Sequence, residues 1–353
     1  MSDSPAPPGA AARRPLVPGS SPGTVPGVSV LMPVRNEERH LADSVRQVLS
    51  QDYPGEMELV LAVGPSRDRT QEIAERIAAA DSRVTVVPNP SGRIPSAMNA
   101  AIKTSRHSVL ARVDGHCLLP PGYLRGAVRA LEETGADNVG GVMAAAGVTP
   151  FQQAVAWAMT SPAGVGGSPF HTGGEPGPAD TVYLGVYRRA AIERVGGYDE
   201  AYLVAEDWEM NHRIRLAGGL IWFLPDLRVT YRPRASAGAL ARQHPGTSSW
   251  RDLTPPMAGL AMAAGTLAGL AGLGGLASGA AAGWALIATA GFAVPFLYLA
   301  GIVAVSGRAA RALPARAAIR LPLVLAVMHI CWGAGFLTSP ASLVPGARPR
   351  RGR

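Results

Sequence analysis

The chain has 353 residues, 47% hydrophobic and only 16% charged, a length for two or three structural units and a composition that leans toward a membrane-attached protein. Its formal net charge of +8 sits at one end: from Gly301 onward there are eight arginines and no acid, leaving 25 basic against 25 acidic residues in the rest. A nucleic-acid binder carries its excess on a folded domain, so that class is excluded, whereas arginines flanking apolar segments match loops at an anionic membrane face.

Residues 1–26 are rich in Pro, Ala, Gly and Ser and hold no continuous apolar stretch. They are expected to form a disordered tail, not a signal peptide, so the first large domain is expected to remain in the cytosol. From Val28 the chain alternates. Strands are predicted over 28–32, 57–63, 83–87, 108–113 and 138–143. Helices fall between them over 38–50, around 73–78, over 96–104 and over 121–133, from apolar residues at helical spacing. Alternation with short links implies an α/β fold, a doubly wound and mostly parallel sheet, which binds ligands at the carboxyl ends of its strands. Residues 33–37, 63–68 and 114–116 then share one rim.

The pattern weakens over 150–180, and the Gly- and Pro-rich stretch 163–177 reads as a mobile loop or lid. Order resumes at 181–189, then in a helix over 206–217 and strands over 220–223 and 228–231. Between Leu253 and Gly307 there is no charged residue. At ~20 residues per span this run holds two helices and a tight connection, with a buried soluble hairpin as the alternative. Its first half is weakly hydrophobic and rich in glycine (259, 265, 269, 272, 274, 275), suited to close helix packing. Residues 284–305 are more apolar, and 321–338 are a third candidate span. Placing the catalytic domain and the Arg308–Arg320 loop inside satisfies the positive-inside rule, but a third crossing would put Arg348–Arg353 outside, against it. The expected divisions are a tail (1–26), a catalytic domain (27–251), a membrane region (252–340) and a basic tail (341–353). Cys117 and Cys331 make neither a metal spacing nor a disulfide framework.

Chemistry concentrates in two places. Asp114 and His116 follow a strand, and Glu206 and Asp207 open a helix, where the macrodipole favours negative charge and where acids also serve as ordinary caps. A carboxylate at a strand end, a second at a helix start and a membrane anchor point to a sugar transferase.

Four segments in this order, Ser29-Val-Leu-Met-Pro-Val-Arg-Asn-Glu37, Arg112-Val-Asp-Gly-His116, Val195-Gly-Gly-Tyr-Asp199 and Glu206-Asp-Trp-Glu209, resemble the family 2 glycosyltransferases of GT-A fold, in particular the membrane-attached branch that builds succinoglycan-type exopolysaccharides. The resemblance covers Val28 to about Arg251 and implies a metal-dependent, inverting transfer from a nucleotide-diphosphate sugar to a saccharide or polyprenyl-linked acceptor, in the cytoplasmic membrane with the catalytic domain in the cytoplasm. It assigns Asp114 to a divalent cation, Mg²⁺ or Mn²⁺, with His116 in place of the usual second acid; a solvated histidine is the alternative. It makes Asp207 the general base, with Glu206 as a neighbouring like charge. Pro33, Arg35, Asn36 and Glu37 would lie against the nucleotide, joined by Asp68, Arg93, Ser96 and Asn99, although Asn36 and Asp68 also suit turns or caps. The chain departs from the family at Val63 and Gly64, where two acids that often read the base are usual, and at Pro65, where glycine is usual, which puts uridine specificity in doubt. Gln243, Trp250 and Arg251 do not keep the spacing of the processive synthases, and Trp250 and Arg251 suit an interfacial anchor. The rival readings are transfer onto polyprenyl phosphate, whose anionic acceptor needs no base, and an inactive scaffold of a polysaccharide assembly complex.

Overall fold

The computed structural model describes residues 25–203, 205–243, 254–276 and 281–338. The expected disordered tail up to residue 24, Trp250, Arg251 and the basic tail 341–353 lie outside the described residues. The chain divides into two compact units, Met1–Met143 with Gly173–Tyr231, and Ala144–Thr172 with Arg232–Arg353. The division therefore assigns residues 144–172 to the unit of the C-terminal helices, a grouping the sequence does not suggest.

The first unit begins with β1 (Val28–Val34), α1 (Leu41–Leu49), β2 (Met57–Val63), α2 (Thr70–Ala80), β3 (Val84–Pro88), α3 (Ile94–Thr104), β4 (Val109–Arg112), α4 (Tyr123–Thr134) and β5 (Asn138–Ala145). Next come α5 (Pro150–Met159), α6 (Pro162–Val165) and α7 (Pro169–Thr172), which belong to the second unit, and then β6 (Gly177–Pro178), β7 (Tyr183–Arg188), α8 (Arg189–Arg194), α9 (Glu206–Leu216) and β8 (Ile221–Tyr231) of the first. The second unit continues with α10 (Ala237–Gln243), α11 (Thr254–Leu276), α12 (Ala281–Ala309), α13 (Ala315–Ala318) and α14 (Leu321–Thr338).

Among the described residues, eight strands form one mixed sheet in the order β3-β2-β1-β4-β7-β5-β8-β6. Strands β3, β2, β1 and β4 run parallel, while β7 is antiparallel to β4 and to β5. In the parallel half the strands are apolar on both faces because helices cover both. Leu59, Leu61 and Leu110 are fully buried, and Leu31 is nearly so. On α1 the buried residues Leu41, Ser44, Val45 and Val48 make one stripe, with polar residues on the rest of the surface. Burying a leucine of this kind contributes roughly 1.5–3 kcal/mol. The chain steps outward from β1 through β2 to β3 and then crosses to β4 on the other side of β1, so the switch point lies between β1 and β4, where such sheets open a crevice.

Three local expectations change. The two strands expected over 220–231 are one, β8, despite Pro225 within it. The stretch 163–177 is not a plain loop, since it holds part of α6, all of α7 and the start of β6. Helix α1 starts at Leu41, three residues after the expected start.

In the second unit, α5 opens with a capping box in which Thr149 Oγ1 accepts from Gln152 N–H and the Gln152 side chain accepts from Thr149 N–H. Among the described residues, two segments are long and apolar enough to cross a membrane, Gly283–Ala309 and Ala315–Gly335, while Leu260–Leu276 is a shorter apolar helix. That shorter helix packs on α12 through glycine. A Cβ at Gly269 would lie 2.8 Å from the Phe292 ring, and one at Gly272 only 2.4 Å from Ala288 N, so only hydrogen lets the two backbones come this close.

Candidate active site

The loops that leave β1 and β4 touch at the switch point. A Cβ at Gly115 would lie 2.9 Å from Val34 and 3.3 Å from Glu37. Together with residues 89–94 after β3 they enclose a cavity of about 140 Å³. Of the residues the sequence singles out, Pro33, Arg35, Glu37, Arg93, Asp114 and His116 line it.

Asn36 and Asp68 sit beside this cavity and tie the β1 loop to the β2 loop. Asn36 has a left-handed backbone (φ 56°), its N–H donates to Ser66 Oγ at 3.1 Å, and its Oδ1 accepts from Arg67 N–H at 2.8 Å. Asp68 accepts from Thr70 N–H at 3.1 Å and from Glu38 N–H at 3.2 Å. Both side chains hold loops instead of lining the cavity, and Asn36 is no helix cap, since α1 begins five residues later. The Arg35 Nε–H donates to Pro65 C=O at 3.2 Å. Gly64 is packed under this turn: a Cβ there would lie 3.1 Å from Gly92 Cα and 3.6 Å from Arg35 Cβ. A side chain at this position would therefore crowd the backbone of residue 92.

Ser96 and Asn99, expected at the donor, do not line the cavity. Ser96 Oγ donates to Glu200 Oε2 at 2.7 Å, and the Asn99 carboxamide bonds the Tyr198 backbone. The register of α3 points them at the loop that precedes α9.

The centre of the site is a residue the sequence left among apolar neighbours. Arg112 ends β4 with its side chain only 6% exposed, and it faces three carboxylates: Asp114 Oδ1 at 3.2 Å, Glu206 Oε1 at 2.9 Å and Asp207 Oδ1 at 2.5 Å. Burial opposes its charge, and the three acids overcome that. Asp114 and the acidic pair 206–207, found in separate parts of the sequence, thus meet on one guanidinium. Desolvation pushes the Asp207 carboxyl up to about 6, with Glu206 and Asp114 adding to the rise and Arg112 opposing it. Asp207 receives Arg112 and the Tyr198 hydroxyl (3.1 Å) on the same oxygen, Oδ1. Its Oδ2 meets no donor among the described residues.

Asp114, His116 and Cys117 bring one potential ligand atom each within 4.8 Å of one another. The Glu37 carboxylate lies 2.8 Å from His116 Nδ1, the arrangement by which a carboxylate orients a metal-binding imidazole. Cys117 is a poorer ligand: it is buried beside the Tyr183 hydroxyl at 3.1 Å, and burial pushes its thiol well above the usual range, so it stays protonated. One carboxylate and one imidazole fit a divalent cation whose remaining positions are filled by phosphate oxygens or water, and imidazole favours Mn²⁺ over Mg²⁺.

Comparison with known proteins matches residues 29–196 to the model of glycosyl transferase family 2. The chain is 34% identical over 219 residues to the succinoglycan biosynthesis protein ExoA of Rhizobium meliloti, a match spanning 62% of this chain and 66% of that protein, just under two thirds of its length. It is 22% identical over 225 residues, 61% of this chain and 70% of the other, to a Methanococcus voltae enzyme named dolichyl N-acetyl-alpha-D-glucosaminyl phosphate 3-beta-D-2,3-diacetamido-2,3-dideoxy-beta-D-glucuronosyltransferase. Among solved structures, the mannosyltransferase PcManGT of Pyrobaculum calidifontis, in complex with GDP-Man and Mn²⁺, shares the fold with a TM-score of 0.52 at 18% identity, over 88% of each chain.

Proposed function

We infer from membership of glycosyl transferase family 2, to which the chain belongs through residues 29–196, that it transfers a sugar from a nucleotide-diphosphate donor to the hydroxyl of a saccharide or lipid-linked acceptor in cell-surface or exopolysaccharide synthesis. One observation carries the reading: Asp114 and Asp207 are bound to the same buried guanidinium, so the diphosphate end and the acceptor end of such a reaction share one site. The donor lies in the cavity between the β1 and β4 loops, with Arg35 and Arg93 at its rim supplying fixed positive charge to phosphate oxygens. Asp114 and His116 would hold a divalent cation, which would supply positive charge for the departing diphosphate. The ionised Asp207 takes the proton of the acceptor hydroxyl on Oδ2 as that oxygen forms its bond to the anomeric carbon. The bond from that carbon to the diphosphate breaks on the opposite side, and the configuration inverts. Arg112 holds the base in place and keeps most of it ionised at neutral pH.

The likeness to an enzyme whose name gives a dolichyl-linked sugar phosphate as acceptor supports a hydroxyl on a lipid-linked sugar. The spans 283–309 and 315–335, with arginines 308, 311, 316 and 320 at and between them, support a multi-pass membrane protein whose 308–320 loop faces the cytosol; the first unit shares that side when the shorter apolar helix Leu260–Leu276 crosses as well. The departures at Val63 and Gly64 argue against reading of uridine by acids at those two positions. The test is Asp207→Asn, assayed with the nucleotide sugar that most raises the melting temperature in a panel of UDP-, GDP- and dTDP-hexoses with Mg²⁺ or Mn²⁺. Activity should fall by about 10²-fold or more. Retention of most activity would instead favour an anionic polyprenyl phosphate acceptor, and no response to any donor a scaffold.

A further inference from the structure

The loop before α9 is held from both sides, beyond what its sequence requires. From α3, Asn99 Oδ1 accepts from Tyr198 N–H at 2.9 Å and Asn99 Nδ2 donates to Tyr198 C=O at 2.9 Å, so one carboxamide bonds both peptide groups of a single residue. The same Nδ2 donates to Glu200 Oε1 at 3.2 Å, and Ser96 holds the other oxygen of that carboxylate at 2.7 Å. From α9, Arg213 is locked to Glu209 by bonds of 2.5 and 2.6 Å and donates to Gly197 C=O at 2.8 Å. Gly197 has φ 79°, and a Cβ there would lie 2.8 Å from Asn99 Oδ1, so the clamp requires glycine on two counts. The residue held between these grips, Tyr198, is 3% exposed, and its hydroxyl donates to Asp207 Oδ1 at 3.1 Å.

We propose that Asn99 and Tyr198 form a positioning unit for Asp207, fixing the rotation of its carboxyl group so that Oδ2 faces the acceptor hydroxyl. The inference rests on Asp207 acting as the base. Arg112 alone anchors one oxygen and leaves the carboxyl free to swing about that contact; a second donor on the same oxygen, carried by a rigid aromatic ring, removes the swing. Holding a reacting group in its productive geometry lowers the barrier without adding chemistry. The role places Ser96 and Asn99, expected from the sequence at the donor, on the acceptor side of the reaction instead, through the loop they hold.

The test compares Tyr198→Phe, Asp207→Asn and the double variant in the full-length protein, using the nucleotide sugar chosen by the melting panel and following both product formation and calorimetric donor binding. Tyr198→Phe should lower kcat by about 10-fold while the donor KM and a binding ratio of one donor per chain stay unchanged. In the Asp207→Asn background it should cost nothing further, because the tyrosine acts through that carboxylate. Asn99→Ala tests the same clamp from its other end and should show the same split between kcat and KM. Unchanged kcat in Tyr198→Phe, a loss of donor affinity equal to the loss of rate, or an undiminished further loss in the double variant would each overturn the proposal. An Asp207→Asn protein that keeps its activity would remove the base assignment itself, and the positioning role with it.

Discussion

The residue assigned to catalysis should also be a source of instability. Asp207 titrates at about 6 in the folded chain against 3.8 for an ordinary aspartate, chiefly because it is desolvated. A carboxyl whose folded value is raised favours the native state only while protonated. That contribution is fully present below 3.8 and is lost as pH rises through about 6. At pH 7 and above, the ionised Asp207 therefore costs on the order of 3 kcal/mol, from about 1.36 kcal/mol per pH unit of displacement. Asp207→Asn is neutral at every pH, and Arg112 keeps Glu206 and Asp114 as partners, so no buried cation is orphaned. The variant should thus be more stable than the parent by up to about 3 kcal/mol at pH 8, or roughly 6–12 °C in melting temperature for a domain of this size, with the gain shrinking to nothing near pH 4. Differential scanning fluorimetry of both proteins from pH 4 to 8, in the same detergent and without donor, measures this directly. The same titration sets the rate: parental kcat/KM should rise about tenfold per pH unit below 6 and level off above it. An Asn variant less stable than the parent at pH 8, by a margin that does not vary with pH, would refute the reasoning and show that the Arg112 contact outweighs desolvation.

Three further outcomes follow from the geometry. His116→Ala should abolish most of the melting-temperature rise produced by Mn²⁺ while leaving the metal-free melting temperature nearly unchanged, with Glu37→Gln intermediate; fluorimetry with a Mn²⁺ titration reads this. Gly64→Asp, which restores an acid usual in the family, should destabilise by about 1–3 kcal/mol and weaken donor binding, because its Cβ meets residue 92 at 3.1 Å; denaturant melts and calorimetry check it. Gly197→Ala should cost about 1–2 kcal/mol from its positive φ alone and, by displacing Asn99, should lower kcat as well; thermal melts with steady-state kinetics decide.

The sequence showed the rim of the site more clearly than its centre. Residues 33–37 and 114–116 were legible because strand–helix alternation places strand ends on one edge, and that edge is where the cavity lies. The acids at 206 and 207 were legible as a helix start. Arg112 was not: inside the run 108–113 it reads as one charge in a buried strand, and its reason appears only when acids 94 residues later fold against it. The partners of Ser96 and Asn99 were not legible, because polar residues in the first turns of a helix beside phosphate-binding loops look like phosphate contacts. Only the rotation of α3 shows that they face Tyr198 and Glu200. The stretch 163–177 misled through composition, since Gly and Pro mark loops but also start single turns of helix, as Pro162 and Pro169 do here.

The charges around β4 also explain why one arginine does not finish the site. Arg112 carries +1, and the three carboxylates it touches carry −3 when ionised, so the cluster has a formal charge of −2 in a partly buried setting. An uncompensated buried charge is costly unless it is paired or bound to a metal. One way to lower the cost is visible in Asp207, whose titration is displaced toward the neutral form. The other is a cation at Asp114, the acid on the side of Arg112 that opens to the cavity and to His116. The two forms of relief act at different carboxylates, so on the proposed reading the acid that would bind a cation and the acid that would accept the proton can be tuned separately while sharing one anchor. This arrangement explains why the histidine in place of a second acid is tolerable: a further carboxylate at 116 would raise the deficit beside Glu37, whereas imidazole offers a ligand atom without adding negative charge.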